Sequence, residues 1–165
     1  HPTRCSLPPP RMTLPSFVIR APKQDDYAAW RPLWDGYNEF YGRHADTALP
    51  EHITQVTWQR FFDPAEPVFA LVAEDQGQLV GLAHYLFHHS MTKIEQVCYL
   101  SDLFTLPSLR GKGVGRSLIE AVCTQAKANG ASRVYWQTHE SNAAGRQLYD
   151  KVAKHLGFIV YSRDP

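Results

Sequence analysis

The chain has 165 residues, of which 44% are hydrophobic and 12% aromatic, enough to bury one sizeable core without disulfide or metal staples. No apolar run approaches the ~20 residues of a membrane span, and three cysteines without CxxC spacing give neither a disulfide framework nor a zinc ribbon. The net charge of +1 is unevenly placed: residues 1–107 carry 8 Lys+Arg against 12 Asp+Glu, residues 108–165 carry 9 against 4. The second half is therefore expected to hold an acidic partner. With no long apolar segment among the opening residues, a cytoplasmic setting is expected.

Residues 1–15 hold five prolines and no periodicity, so they read as a tail or linker ahead of a domain spanning 16–165. A short strand is predicted at Phe17–Arg20. From Asp25, the spacing of Tyr27, Trp30, Trp34, Tyr37 and Tyr41 predicts a helix with one aromatic face. That stripe reads as core, although Asp35 and Glu39 on the same helix would suit an ammonium ligand. A second helix is predicted from about Pro50 to Phe62, turning Ile53, Val56, Trp58, Phe61 and Phe62 inward. Strands follow at 68–74 and 78–88, joined across Asp75-Gln76-Gly77, with another at 96–106. An amphipathic helix burying Leu118, Ile119, Val122 and Ala126 is predicted to stop at Asn129-Gly130. A strand at 133–138, a helix at 143–155 and a last strand at Phe158–Tyr161 complete a mixed α/β order. His84 and His88 share a strand face, but no third ligand is suitably spaced, so no metal is expected.

The most informative segment runs from Asp102 to Gly115. Gly111, Gly113 and Gly115 lie between a strand and a helix start, interleaved with Arg110, Lys112 and Arg116. Glycines let backbone approach a ligand closely, and the first-turn N–H groups of a helix attract phosphate. A dinucleotide GxGxxG would need Gly at 116, where Arg stands, and no GxxxxGK[ST] occurs.

Here the sequence resembles the GNAT superfamily of N-acetyltransferases. Arg110-Gly-Lys-Gly-Val-Gly115 fits the superfamily's [RQ]-x-x-G-x-[GA] motif, and Leu103-Phe104-Thr105 with Pro107 matches the strand leading into it. Asn142, Leu148-Tyr149 and Gly157-Phe158 resemble a second family signature. Gly145 departs from its usual Ala, and Ala153–Leu156 is an insertion that should lengthen the last helix by about one turn. The segment Trp136–Asn142 adds a likeness to a small fungal and bacterial branch associated with histones, polyamines and amino acids.

The resemblance implies a central mixed, mostly antiparallel sheet with a splayed strand pair and flanking helices. It implies acetyl-CoA held by Leu103, Phe104, Thr105, Arg110, Gly111, Lys112, Gly113, Val114, Gly115, Arg116 and Asn142, with no metal. Tyr149, also at the cofactor, is the implied general acid toward the leaving thiolate. Polyamine acetyltransferases of the superfamily carry Glu-Asp where this chain has Ser101-Asp102, so the glutamate is missing. Asp102 is the candidate base, with His139 and Glu140 as rivals; on a regular strand, Asp102 and Ser101 would face opposite sides. The expected activity is transfer of acetyl to a primary amine, small and cationic. A lysine of a basic protein and a non-catalytic acyl-CoA sensor are the alternatives. A homodimer is expected, since both faces of Phe158–Tyr161 want cover, and neither nucleic acid nor membrane is an expected partner.

Overall fold

The computed structural model describes residues 16–165. The Pro-rich segment 1–15 lies outside the described residues. Five strands form one sheet in the order β1 (Phe17–Arg20), β2 (Val68–Asp75), β3 (Gln78–His88), β4 (Val97–Thr105) and β5 (Val134–Tyr135). The first three pairings are antiparallel, and the short β2–β3 and β3–β4 connections leave no room for a crossover; only β5 runs parallel to its neighbour β4. The sheet is thus mixed and mostly antiparallel.

The helices cover both faces. The aromatic stripe of α1 (Tyr27–Phe40) packs with α2 (Glu51–Arg60) on one side, and Trp30, Leu33, Trp34 and Trp58 close over Val72, Leu82 and Phe104. On the other side α3 (Val114–Ala128) lays Leu118, Ile119, Val122 and Ala126 on Leu71, Ala83, Tyr85 and Cys98. Leu118 is fully buried, and a leucine taken out of water contributes roughly 1.5–3 kcal/mol. Arg20 ties the layers together at the sheet edge, with bonds of 2.7 Å to both Asp26 and Glu74.

Several sequence expectations change at the C-terminal end and on α2. The helix α4 (Ala143–Val152) stops at Val152, so the insertion 153–156 does not lengthen it. The strand expected at 133–138 shrinks to Val134–Tyr135. Phe158–Tyr161 is not a strand of the sheet: it pairs with no strand among the described residues, and its four side chains are 67–88% exposed. On α2 the buried residues are Thr54 and Trp58, whereas Ile53 and Val56 are exposed, since a single inward row suffices for so short a helix. Among the described residues no helix is long and apolar enough to cross a membrane.

Candidate active site

Two features of β4 open the sheet. Pairing between β4 and β5 is confined to Cys98↔Val134 and Tyr99↔Tyr135, so alternate backbone groups from Leu100 to Thr105 have no strand on that side. Against β3 the register runs Gly81↔Thr105 to His84↔Asp102 and then jumps to Tyr85↔Leu100. Ser101 is the extra residue of a β-bulge. The bulge breaks the alternation expected of a regular strand, so Ser101 and Asp102 line the same cavity and the Ser101 hydroxyl donates to Asp102 Oδ1 at 3.3 Å.

That cavity, about 360 Å³, lies between β3–β4 and the α1–α2 pair. Trp34, Ile53 and Phe61 form apolar wall, while Arg43, Arg60, His84 and Asp102 supply charge and hydrogen bonds. Asp35 and Glu39 take no part: Asp35 is exposed and paired with Arg31 at 2.9 Å, and Glu39 faces solvent. Burial alone would push the Asp102 carboxyl up, but hydrogen bonds from His84, Tyr37 and Ser101 outweigh it and hold it below the usual carboxylate range. Asp102 is thus an anion. Among the described residues no lysine or arginine pairs with it; His84 lies beside it, at 2.8 Å. Its charge, together with burial, drives the Tyr37 and Tyr41 phenols up, burial being the larger cause in each.

The glycine loop stands at the open end of β4. Gly111 and Gly113 have φ of +77° and +86°, left-handed values that an L side chain rarely adopts, and a Cβ at either would meet nothing within 4 Å. The N–H groups of Arg110 and Lys112 close turns on Pro107 and Leu109, whereas those of Val114, Gly115 and Arg116 head the first turn of α3 without acceptors inside it. Open space above unpaired N–H groups, at the positive end of a helix and beside Lys112, fits a pyrophosphate. Val114 and Phe104 are buried in the core, so only their backbone can meet a ligand. Arg116 leans along its own helix to Glu120 at 3.1 Å, and Arg110 rests 6.0 Å over the Phe40 ring. No group of three or more His, Cys, Asp or Glu that could hold a metal occurs among the described residues.

Helix α4 lies against this loop: a Cβ at Gly115 would come within 3.3 Å of Leu148 Cδ2 and 3.7 Å of Thr105 Oγ1. Tyr149, the next residue along α4, packs edge-on against Trp136, and burial raises its phenol, with a smaller contribution from Tyr41. It therefore keeps its proton at neutral pH and can donate it. Asn142, expected at the cofactor, turns its side chain to the start of α4. Its Oδ1 accepts from Gly145 N at 3.2 Å and its Nδ2 donates to Thr138 Oγ1 at 3.0 Å, capping α4. His139 and Glu140 are exposed and absent from the cavity wall, and His139 bonds Ser141 instead.

Comparison with known proteins agrees with this geometry. Residues 29–158 match the Acetyltransferase (GNAT) family. The chain belongs to that family. It is 35% identical over 158 residues to D-amino-acid N-acetyltransferase HPA3 of Saccharomyces cerevisiae, covering 94% of this chain and 96% of the relative. It is 32% identical over 145 residues to the uncharacterized N-acetyltransferase YhfO of Bacillus subtilis, covering 87% and 94%. Among solved structures, AAC(6')-Iy in complex with the bisubstrate analogue CoA-S-monomethyl-acetylneamine superposes with a TM-score of 0.78 at 19% identity, covering 90% of this chain and 98% of that one. The chain is an acetyl-CoA-dependent N-acetyltransferase, which sets aside the non-catalytic sensor.

Sequence reasoning did not find His84, Arg43 or Arg60 as site residues. His84 was legible only as one histidine of a strand face, and its pairing with Asp102 depends on a bulge. Both arginines sit at or just beyond helix ends, where no periodicity marks them.

Proposed function

We propose that this GNAT enzyme acetylates the amino group of a free amino acid or a close analogue. The observation that carries the reading is the charge set of the cavity: a buried carboxylate, Asp102, without a lysine or arginine partner, on the same walls as Arg43 and Arg60. A molecule bearing both an ammonium and a carboxylate satisfies both signs. A polyamine or a lysine on a basic protein would answer Asp102 but bring more positive charge beside two guanidiniums. Arg43 is fixed for such a role by a 2.7 Å bond from Nε to Asn38 Oδ1 and by stacking on Tyr37 and Tyr41. Its terminal nitrogens hydrogen-bond no other described residue. The relation to HPA3, a D-amino-acid N-acetyltransferase by name, supports the same acceptor class.

Bound acetyl-CoA supplies an activated thioester whose carbonyl carbon takes the amine and whose sulfur leaves. In this reading the loop 110–116 holds the pyrophosphate, and the open edge of Leu103–Thr105 offers backbone N–H groups to the carbonyl oxygen. An alkylamine of pKa ~10 must give up a proton, at a cost of roughly 4 kcal/mol at pH 7. Asp102 grips the nitrogen as the cation and passes that proton to cavity water, since its depressed pKa makes it a poor resting place. It then stabilises the positive charge that returns to nitrogen as the N–C bond forms. Tyr149 gives its proton to the departing sulfur, and the proton that the nitrogen sheds as the amide forms returns through water to the Tyr149 oxygen.

Thiol release across an acceptor panel tests the class. Amino acids should exceed spermidine and lysine peptides by about tenfold or more in kcat/KM, and the reverse order would overturn the reading. The exposed apolar run Phe158–Tyr161 and the outer edge of β5, unpaired among the described residues, also support a homodimer, because four adjacent large side chains are seldom left in water. Light scattering at micromolar concentration decides it: a mass near the single-chain 18.8 kDa would refute the dimer.

A further inference from the structure

Three side chains from three elements form one buried chain of hydrogen bonds beside the acceptor cavity. Trp30 of α1 is fully buried, and its indole Nε1 lies 3.2 Å from His84 Nε2. His84 of β3 is 4% exposed and places its Nδ1 2.8 Å from Asp102 Oδ2. Indole N–H can only donate, so His84 Nε2 must accept, and an imidazole with its lone pair on Nε2 carries its proton on Nδ1. That proton points at Asp102. A second proton, on Nε2, would meet the indole N–H donor to donor in a site where neither could turn to water.

We propose that Trp30 locks His84 in the Nδ1–H tautomer and that His84, so locked, is the positioning residue for Asp102. The proposal rests on the reading of Asp102 as the grip for the acceptor nitrogen. The lock has two consequences. It fixes Oδ2, leaving Oδ1, which accepts the Ser101 hydroxyl at 3.3 Å, as the oxygen for the substrate. It also keeps positive charge off the imidazole, because an imidazolium beside Oδ2 would satisfy the carboxylate and compete with the ammonium.

The titratable and charged groups around the pair are few. Tyr37 comes from α1, Tyr41 and Arg43 from just beyond it, Arg60 from the end of α2, Tyr85 from β3 and Tyr99 from β4. The strand β2 places only Ala70 opposite His84. The phenols are all raised, Tyr85 to about 12, and arginines stay charged, so none of these groups changes charge between about pH 5 and 8. A second proton on His84 would be the one switch in the cavity wall. Trp30 holds it off.

Nitrogen-15 NMR of histidine-labelled protein reads the tautomer without any substrate. His84 should show Nδ1 protonated and Nε2 bare, unchanged between about pH 5 and 8. Protonation of Nε2 in that range overturns the lock, whatever the acceptor is. Kinetically, Trp30→Phe removes the donor and keeps a ring. Its acceptor KM relative to wild type should climb about tenfold from pH 8 to pH 5, while the acetyl-CoA KM stays level. His84→Asn retains an N–H toward Asp102 and cannot take a second proton, so the double variant should lose that climb. A flat ratio in Trp30→Phe, or a climb that survives in the double variant, overturns the positioning role. Should Trp30→Phe fail to fold, His84→Asn against His84→Ala decides. The first should stay within about threefold of the wild-type acceptor KM and the second rise about tenfold or more; equal losses refute the role. If instead Asp102 does not grip the acceptor, Asp102→Asn will leave the acceptor KM unchanged while the NMR tautomer persists, which separates the two failures.

Discussion

Asp102→Asn removes one charge from the cavity and almost no volume. The carboxylate has no lysine or arginine partner among the described residues, so an acceptor ammonium would be its strongest ligand. Hydrogen bonds to charged groups are worth roughly 1.5–3 kcal/mol net, and each 1.4 kcal/mol is a factor of ten in affinity. The acceptor KM should therefore rise roughly 10- to 100-fold at pH 7, with the acetyl-CoA KM unchanged. Stability gives an independent reading. Burial works against the Asp102 anion, but His84, Tyr37 and Ser101 together hold its pKa below the unfolded value. A carboxylate so depressed adds stability above its unfolded pKa of about 3.9 and loses it as the pH falls through the lower folded value. The melting-temperature gap between wild type and Asp102→Asn should then be constant above about pH 5 and narrow below about pH 4. Steady-state kinetics with both substrates varied, and thermal melts at pH 7 and in acid, check both. An acceptor KM within twofold of wild type, or a gap that does not narrow in acid, would refute the reasoning.

Tyr149→Phe keeps the ring against Trp136 and deletes the donor, so kcat should fall ~10²-fold or more while coenzyme A still binds by calorimetry. Gly113→Asp puts a carboxylate and a strained φ where the pyrophosphate would sit, and coenzyme A affinity should drop more than about tenfold. Gly145→Ala would gain up to ~1 kcal/mol of helix propensity in isolation, but its Cβ would overlap Asn142 Nδ2 and dislodge a cap worth ~0.5–2 kcal/mol. Its melting temperature should not rise; a clear increase would show that Asn142 is not holding α4.

The fold was legible where one physical rule governs a segment. Three-four spacing of large side chains placed α1 and α3, because a helix buries one face whatever its partner. Strand-rich composition and a turn signal placed β2 and β3. The rules failed at the C-terminal end. Phe158–Tyr161 has strand composition, yet composition records only that a segment wants cover, not which sheet supplies it. The insertion 153–156 read as an extra helical turn, but a helix continues only while its face has something to pack on, and α4 ends at Val152.

The site divides along the same line. The glycine loop is contiguous, and its chemistry lies in backbone N–H groups that any reader of Gly111-Lys112-Gly113 can place at a helix start. Acceptor chemistry is assembled from α1, α2, β3 and β4, so it depends on register, and register here turns on one extra residue at Ser101. Counted as a regular strand, β4 would send Ser101 to the face opposite Asp102. The bulge turns both into the cavity and sets Asp102 across from His84, where Trp30 can reach the far side of the imidazole. The missing family glutamate at position 101 also takes on a meaning. A second carboxylate there would bring a like charge beside Asp102 and call for a more cationic acceptor. Serine instead donates a hydrogen bond and leaves a single anion facing Arg43 and Arg60. The proposed amino-acid acceptor rests on that charge set, one anion opposite two guanidiniums, which a polyamine would answer only in part.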